Sequence, residues 1–231
     1  MTRAVVFDTE TTGLEPEFGH RLIEVAALEL MNDLPTGRQF HQLIDPCRDI
    51  PADATRIHGF TSVHVQGKPL FAEIAADLLA FFGEDSALIA HNAAFDFAFL
   101  NAELALVGLA QLSAERMIDT LALAKTRFPG LPNNLDALCR RFEIDLSART
   151  THNALLDCKL LADVYVELTG GRQRGLALET RAVAGMAIEY QFDGARVPIR
   201  IEPTEAELAA HAAFVARLKD PVWLSGSFLP G

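Results

Sequence analysis

The stretch Val5–Leu14, Val-Val-Phe-Asp-Thr-Glu-Thr-Thr-Gly-Leu, constrains this chain more than any other. Ala4–Phe7 is apolar and partly β-branched, the pattern of a buried strand. Asp8 and Glu10 follow at its end. Side chains of an extended segment alternate sides, so positions 8 and 10 project from one face. Two adjacent carboxylates repel and raise each other's pKa, and a divalent cation between them removes the conflict. A strand running into a plain polar turn is the alternative, since Thr-Thr-Gly suits a turn. Acids further along the chain weigh against it.

Asp96 lies in His-Asn-Ala-Ala-Phe-Asp, just after a short apolar strand at 87–90, and Asp157 lies in Thr-His-Asn-Ala-Leu-Leu-Asp, in the first turns of a helix. Each is an acid inside an apolar segment, costly to bury unless paired or bound to metal. One such acid is easily a cap or a satisfied core group. Four from three segments favour convergence on a metal site, and all-oxygen donors suit magnesium or manganese rather than zinc. His152 precedes Asp157 by five residues. A histidine at a helix start is often structural. Beside a metal site that hydrolyses a phosphodiester, its near-neutral pKa suits it to take a proton from an attacking water.

The periodicities predict strands at 4–7, 22–30, 40–44, 87–90 and 117–118, the second and third joined as a hairpin through turn residues at 32–37. Helices are predicted at 51–58, 69–82, 94–107, 121–128, 135–142 and 153–168. Strands alternating with helices after a hairpin imply an α/β sheet with helices on both faces. Beyond Gly171 the pattern changes. Residues 172–195 have no sustained period and read as a linker, Val197–Ile201 alternates like a strand, and Thr204 with Glu207 forms a capping box ahead of an apolar stripe. Trp223 follows. Glu24 is expected to face solvent. Asp119 and Asp136 are expected to cap helices, outside the site.

Composition adds limits. The 231 residues carry a net charge of −11, whereas a free-standing nucleic-acid binder is expected to be basic. A nucleic-acid substrate would therefore be held locally through metal, or by a partner. Cys47, Cys139 and Cys158 form no C-x-x-C pair, so neither a zinc site nor a disulfide framework is indicated. Met-Thr-Arg runs straight into a strand, and no apolar run reaches the ~20 residues of a membrane span. A soluble, cytoplasmic protein with no membrane partner is expected.

Three motifs occur in order: Asp-x-Glu-Thr-Thr-Gly-Leu at 8–14, Asn-x-x-Phe-Asp at 92–96 and His-x-x-x-x-Asp at 152–157. They resemble the exonuclease motifs of the DnaQ-like 3′–5′ exonucleases, and the histidine resembles that of the DEDDh branch. Residues 1–171 are similar to the catalytic domain of the epsilon proofreading subunits of bacterial DNA polymerase III, carried by Phe-Pro-Gly at 128–130, Leu-Asp-Ala-Leu-Cys at 135–139 and Glu-Ile-Asp at 143–145. Glu-Leu-Ala-Ala-His at 207–211 resembles part of their polymerase-binding tail. The resemblance implies a ribonuclease-H-like mixed five-stranded sheet flanked by helices, an exonuclease domain at 1–171, a linker at 172–196 and a tail at 197–231. It implies two divalent cations, Mg2+ or Mn2+, with Asp8, Glu10 and Asp157 as ligands, Asp96 acting through an intervening water, and His152 as general base. Thr11 and Leu14 would lie against the terminal nucleotide, and Asp8 and Glu10 would reach it through the metals. His58 and Asp53 match positions that approach substrate, although His58 also suits a helix C-terminus.

The implied activity is removal of mispaired nucleotides from a single-stranded 3′ end of DNA. The implied partners are the DNA polymerase III alpha subunit through the tail, the sliding clamp through Gln173–Leu178, and a small theta-like subunit. An RNA-trimming exonuclease of the same branch shares these acids, and a non-catalytic polymerase-stabilising subunit is the reading from another class. The filled acid and histidine positions argue against the second. A plain linker and a tail that packs back on the catalytic domain remain the alternatives for residues 172–231.

Overall fold

The computed structural model describes residues 2–147, 149, 152–170 and 202–219. The chain divides into two units, residues 1–178 and 179–231. In the first unit, β1 (Arg3–Thr11), β2 (Leu22–Met31), β3 (Leu34–Leu43), β4 (Ala87–Ala90) and β5 (Met117–Asp119) form one sheet in the order β3-β2-β1-β4-β5. β1 pairs antiparallel with β2 and parallel with β4, and β5 continues the parallel half. This is the mixed five-stranded sheet expected. β1 extends four residues beyond the apolar core of its sequence pattern, which keeps Asp8 and Glu10 on regular strand geometry.

The hairpin differs from expectation in length. Met31 pairs directly with Leu34, so Asn32 and Asp33 alone make the turn, both at positive φ (52° and 65°). Two left-handed residues match the twist of the flanking strands, and Asn and Asp tolerate that conformation. β3 therefore starts at Leu34. It is an edge strand, where Pro35 costs no ladder bond.

The helices are α1 (Ala52–His58), α2 (Ser62–Val65), α3 (Phe71–Phe82), α4 (Ala93–Leu106), α5 (Thr120–Arg127), α6 (Leu135–Arg141), α7 (Ala154–Leu168) and α8 (Glu205–Val215). Only α2 has no counterpart in the sequence prediction. Its four residues are too few to carry a period. The sheet is packed on both faces. Val5 and Phe7 of β1 join Val25 and Ala27 of β2 against α3 and α4, with Phe71, Leu78, Phe82, Phe97 and Leu100 filling that side. Ala4 and Val6 join Ala26, Leu28 and Leu30 against α6 and α7, with Leu138, Cys158, Leu161 and Val164. Even-numbered residues of β1 thus face α7 and odd-numbered ones face α4. Among the described residues no helix is long and apolar enough to cross a membrane. In the second unit, α8 starts at the predicted capping box: the Thr204 hydroxyl accepts from the Glu207 N–H (3.3 Å) and the Glu207 carboxylate accepts from the Thr204 N–H (2.8 Å). The linker, the Gln173–Leu178 motif, the Val197–Ile201 strand and Trp223 lie outside the described residues.

Candidate active site

The alternation of β1 decides where the acids go. Asp8 and Glu10 follow Ala4 and Val6 in phase, so both project toward the α7 layer. Thr9 points the other way, and its hydroxyl donates to the Asp96 carboxylate at 2.7 Å. Asp96 is buried in the first turn of α4, which begins directly after β4, the parallel neighbour of β1. Asp157 is buried in the first turn of α7. α4 is entered from β4, whereas α7 follows α6 and packs on the β1 and β2 face toward which Asp8 and Glu10 project.

Glu24 corrects the sequence reading. It is fully buried rather than solvent-facing. It shares the phase of Ala26 and Leu28, and it pairs in register with Glu10. Its carboxylate accepts from the Ala154 N–H (3.0 Å) and the Asn153 side-chain amide (3.1 Å), and it contacts His41 Nε2 at 2.7 Å. The first N–H groups of a helix have no partner within it. Glu24 satisfies one of them, while Asn153 caps the helix by accepting from the Leu156 N–H at 3.1 Å. The turn that carries Asp157 is thereby tied to β2.

So many carboxylates in one place repel. Desolvation first, then the charges of Asp96, Glu10, Asp157 and Glu24, hold Asp8 well above the ordinary carboxylate range. Desolvation and the charges of Glu24, Asp157 and Asp96 push Glu10 up to about 8. Desolvation raises Asp96 to about 7 against the opposing hydrogen bond from Thr9. Asp157 goes the other way. Burial raises it, but the hydrogen bonds and charges of Arg149 and, after it, His152 outweigh that and bring it below its usual value. Arg149 Nε and Nη2 donate to the two Asp157 oxygens at 2.6 and 2.7 Å, and Nη2 also lies 2.9 Å from His152 Nδ1.

Asp8, Glu10, Asp96, His152 and Asp157 all line one cavity of about 350 Å³, together with Asp136 and Arg149. A second cavity of about 590 Å³ is lined by Thr11, Leu14, Asp53 and His58, with apolar walls from Phe18, Ala54 and Ile57. Thr9, Glu10 and Phe95 line both, so the two adjoin. Leu14 is 75% exposed at the rim of the second cavity, and Thr11 donates to the Gly13 carbonyl at 2.5 Å. Asp53 is exposed and paired with Arg56, so its carboxylate is engaged on the surface. His58 is buried. Its Nδ1 accepts from the Phe60 N–H at 3.0 Å, and burial, partly countered by the charge of Glu24, lowers its pKa.

Asp119 caps α5 as expected, accepting from the Leu121 N–H. Asp136 does not cap α6, because Asn134 does. Asp136 instead pairs with Arg149 at the edge of the catalytic cavity. Arg149 lines the candidate site without having been singled out from the sequence. Its only signal was a basic residue three positions before His152.

Glu10, His152 and Asp157 each offer a ligand atom, all within 4.8 Å of one another, so the described residues include a group able to hold a metal ion. Burial first, and for Asp8 and Glu10 the neighbouring carboxylates as well, raises the pKa values of Asp8, Glu10 and Asp96, and a cluster of buried oxygen donors of this kind fits a divalent cation.

Residues 5–165 match the exonuclease family RNase_T. The chain is 47% identical to DNA polymerase III subunit epsilon of Rickettsia felis, over 94% of this chain and 96% of that protein. It is 38% identical to the Escherichia coli K12 protein of the same name, over 92% of each. Among solved structures, exonuclease X in complex with 5′ overhanging duplex DNA superposes with a TM-score of 0.58 at 25% identity, covering 74% of this chain and 92% of that one. E. coli exonuclease I bound to a dA16 oligonucleotide, at 19% identity and a TM-score of 0.64, covers 75% of this chain and 42% of its own and shares the fold. With its family match spanning residues 5–165 and its length matched almost throughout, this chain belongs to the exonuclease family and, within it, to the epsilon subunits of DNA polymerase III.

Proposed function

We propose that the chain proofreads for a DNA polymerase III, hydrolysing mispaired nucleotides from a single-stranded 3′ end of DNA to nucleoside 5′-monophosphates. One observation carries this reading: Asp8, Glu10, Asp96 and Asp157, from three separate elements, line with His152 a single cavity that adjoins an apolar-walled cleft. Asp8, Glu10 and Asp157 would hold two divalent cations, Mg2+ or Mn2+, directly, with Asp96 contributing through an intervening water. When bound, the cations supply Lewis acidity at the phosphate and offset charge on the leaving oxygen.

His152 is 49% exposed at its side chain, so water reaches it. In its neutral form the imidazole takes a proton from the attacking water as the new O–P bond forms. The P–O3′ bond breaks, and the 3′ hydroxyl stays with the shortened strand. Thr11 and Leu14 hold the terminal nucleotide in the adjoining cleft, where Ile57 and Phe95 supply apolar surface for a base. His58 and Asp53 line the same cleft and approach the substrate from its wall. The cleft accepts a frayed end rather than a duplex, so the net charge of −11 is tolerable. The polymerase alpha subunit grips the DNA and is itself bound by residues 197–231. Residues 173–178 engage the sliding clamp, and a small theta-like subunit completes the assembly.

The test is degradation of matched DNA and RNA oligonucleotides, with paired and mispaired 3′ ends, in Mg2+ and in EDTA. Cation-dependent release of 5′-monophosphates, faster from mispaired DNA ends, is expected. Preference for RNA would reassign the substrate, and undiminished cleavage in EDTA would remove the cations from the mechanism.

A further inference from the structure

Arg149 makes an unusual set of contacts for an arginine in a nuclease cavity. Its side chain is only 9% exposed. Its fork covers both oxygens of Asp157, its Nη1 donates to Asp136, and its Nη2 also reaches His152 Nδ1. Two of these three partners are groups to which the mechanism gives other work. Asp157 is a proposed cation ligand, and both of its oxygens are engaged by a fixed positive charge. A divalent cation shared with Glu10 would meet that charge at close range.

The histidine contact has a second consequence. A guanidinium donates only, so where Arg149 Nη2 bonds His152 Nδ1 at 2.9 Å the ring nitrogen accepts. That contact competes with donation from the same Nδ1 to Asp157 Oδ2, 3.3 Å away. The proton of the neutral ring is then on Nε2, and neither nitrogen has a free lone pair. In this arrangement the base cannot take a proton from water.

We propose that Arg149 is a cation-displaced latch: its guanidinium covers Asp157 and His152, and it would give way to a cation by moving fully onto Asp136, freeing a ligand and the base together. The inference rests on the cation-binding reading above. Asp136 is suited to receive the arginine because it already holds Nη1, is partly exposed, and sits at the edge of the same cavity. Arg149 is thus a positioning residue that acts through Asp157 and His152.

The test uses the full chain stripped of metal. Titration calorimetry with Mn2+ compares the native protein with R149Q and R149K. A latch closed in ~90% of cation-free molecules lowers the apparent affinity about tenfold, so R149Q should bind Mn2+ about tenfold more tightly. R149K keeps a charge without the fork and should fall between. Nitrogen-15 NMR of His152 supplies the second readout. The native ring in EDTA should be protonated at Nε2 and bare at Nδ1, and Mg2+ should change that pattern. R149Q should lack the fixed tautomer even without cation. Equal or weaker Mn2+ binding by R149Q, or a native His152 signal unmoved by Mg2+, overturns the latch. Absence of Mn2+ binding by both proteins overturns the cation site itself. Should R149Q fail to fold, R149K and the native NMR comparison decide the matter.

Discussion

Glu10 and Asp96 are the residues at which the cost of burying carboxylates in the site becomes measurable. Their pKa values rise to about 8 and about 7, mainly through desolvation. Unfolded, they titrate near ~4.3 and ~3.9. The folded state therefore binds protons more tightly, and the stability linked to these two groups is complete below the ordinary carboxylate range. It is lost as pH rises through about 7 and about 8. In EDTA the melting temperature should fall between roughly pH 5 and 8, and a divalent cation should reverse the fall. Glu10→Gln should flatten part of the slope and raise the metal-free melting temperature at the alkaline end. A native melting temperature that climbs across this range in EDTA would contradict the assignment. Asp157, lowered by Arg149, contributes with the opposite sign at pH values below this window. His152 is tested through rate. His152→Ala should slow hydrolysis by roughly 10²–10⁴ while cation affinity stays near native. A variant with a native rate and a native pH–rate profile would remove it from the mechanism.

At the scale of elements, the site depends on how α7 is fastened to the sheet, and Glu24 is the fastening. Glu24→Ala leaves the Ala154 N–H and the Asn153 amide without their acceptor. An unsatisfied buried donor costs about 1–3 kcal/mol. Glu24→Gln also removes the charge beside Glu10 but keeps an oxygen acceptor. The alanine variant should thus be less stable than the glutamine variant in denaturant melts, and slower in hydrolysis because the turn holding Asp157 shifts. Equal stability of the two would mean that the charge, not the helix anchor, is what Glu24 contributes. This element also marks the limit of what sequence reading reaches. Asp8 and Glu10 could be placed on one face because β1 passes from apolar residues into acids, so the period of two is visible. In β2 the cue disappears: Ile23, Val25 and Ala26 are all fully buried, on both faces. A strand packed on two sides shows no polar alternation, so the direction of Glu24 could not be read. The hairpin boundary slipped because Asn32 and Asp33 suffice for a turn that the run 32–37 made look longer. Arg149 was illegible for a different reason. Its partners Asp136 and Asp157 belong to two helices, and only the assembled fold brings its loop between them.

At the scale of the whole molecule, a strongly acidic chain acting on nucleic acid needs something else to hold the substrate, and residues 197–231 are proposed to recruit it. Net charge of −11 opposes unaided binding to a polyanion. The described part of the second unit is α8, which has its own capping box yet leaves Leu208 and Phe214 more than half exposed. Exposed apolar side chains on an ordered helix are suited to a partner surface. The proposed catalytic residues, by contrast, come from β1, α4, α7 and the loop before α7, all within the first unit. Truncation after Gly171 should therefore leave a folded protein that digests single-stranded DNA at near the native rate but no longer co-purifies with the polymerase subunit. Leu208→Asp combined with Phe214→Asp in the full chain should weaken polymerase binding while sparing hydrolysis of free oligonucleotides. The two variants separate tether from support. If the truncated chain unfolds, residues 172–231 stabilise the catalytic unit rather than link it to a partner. If the double variant binds polymerase with native affinity in a titration, the recognition surface is not on α8.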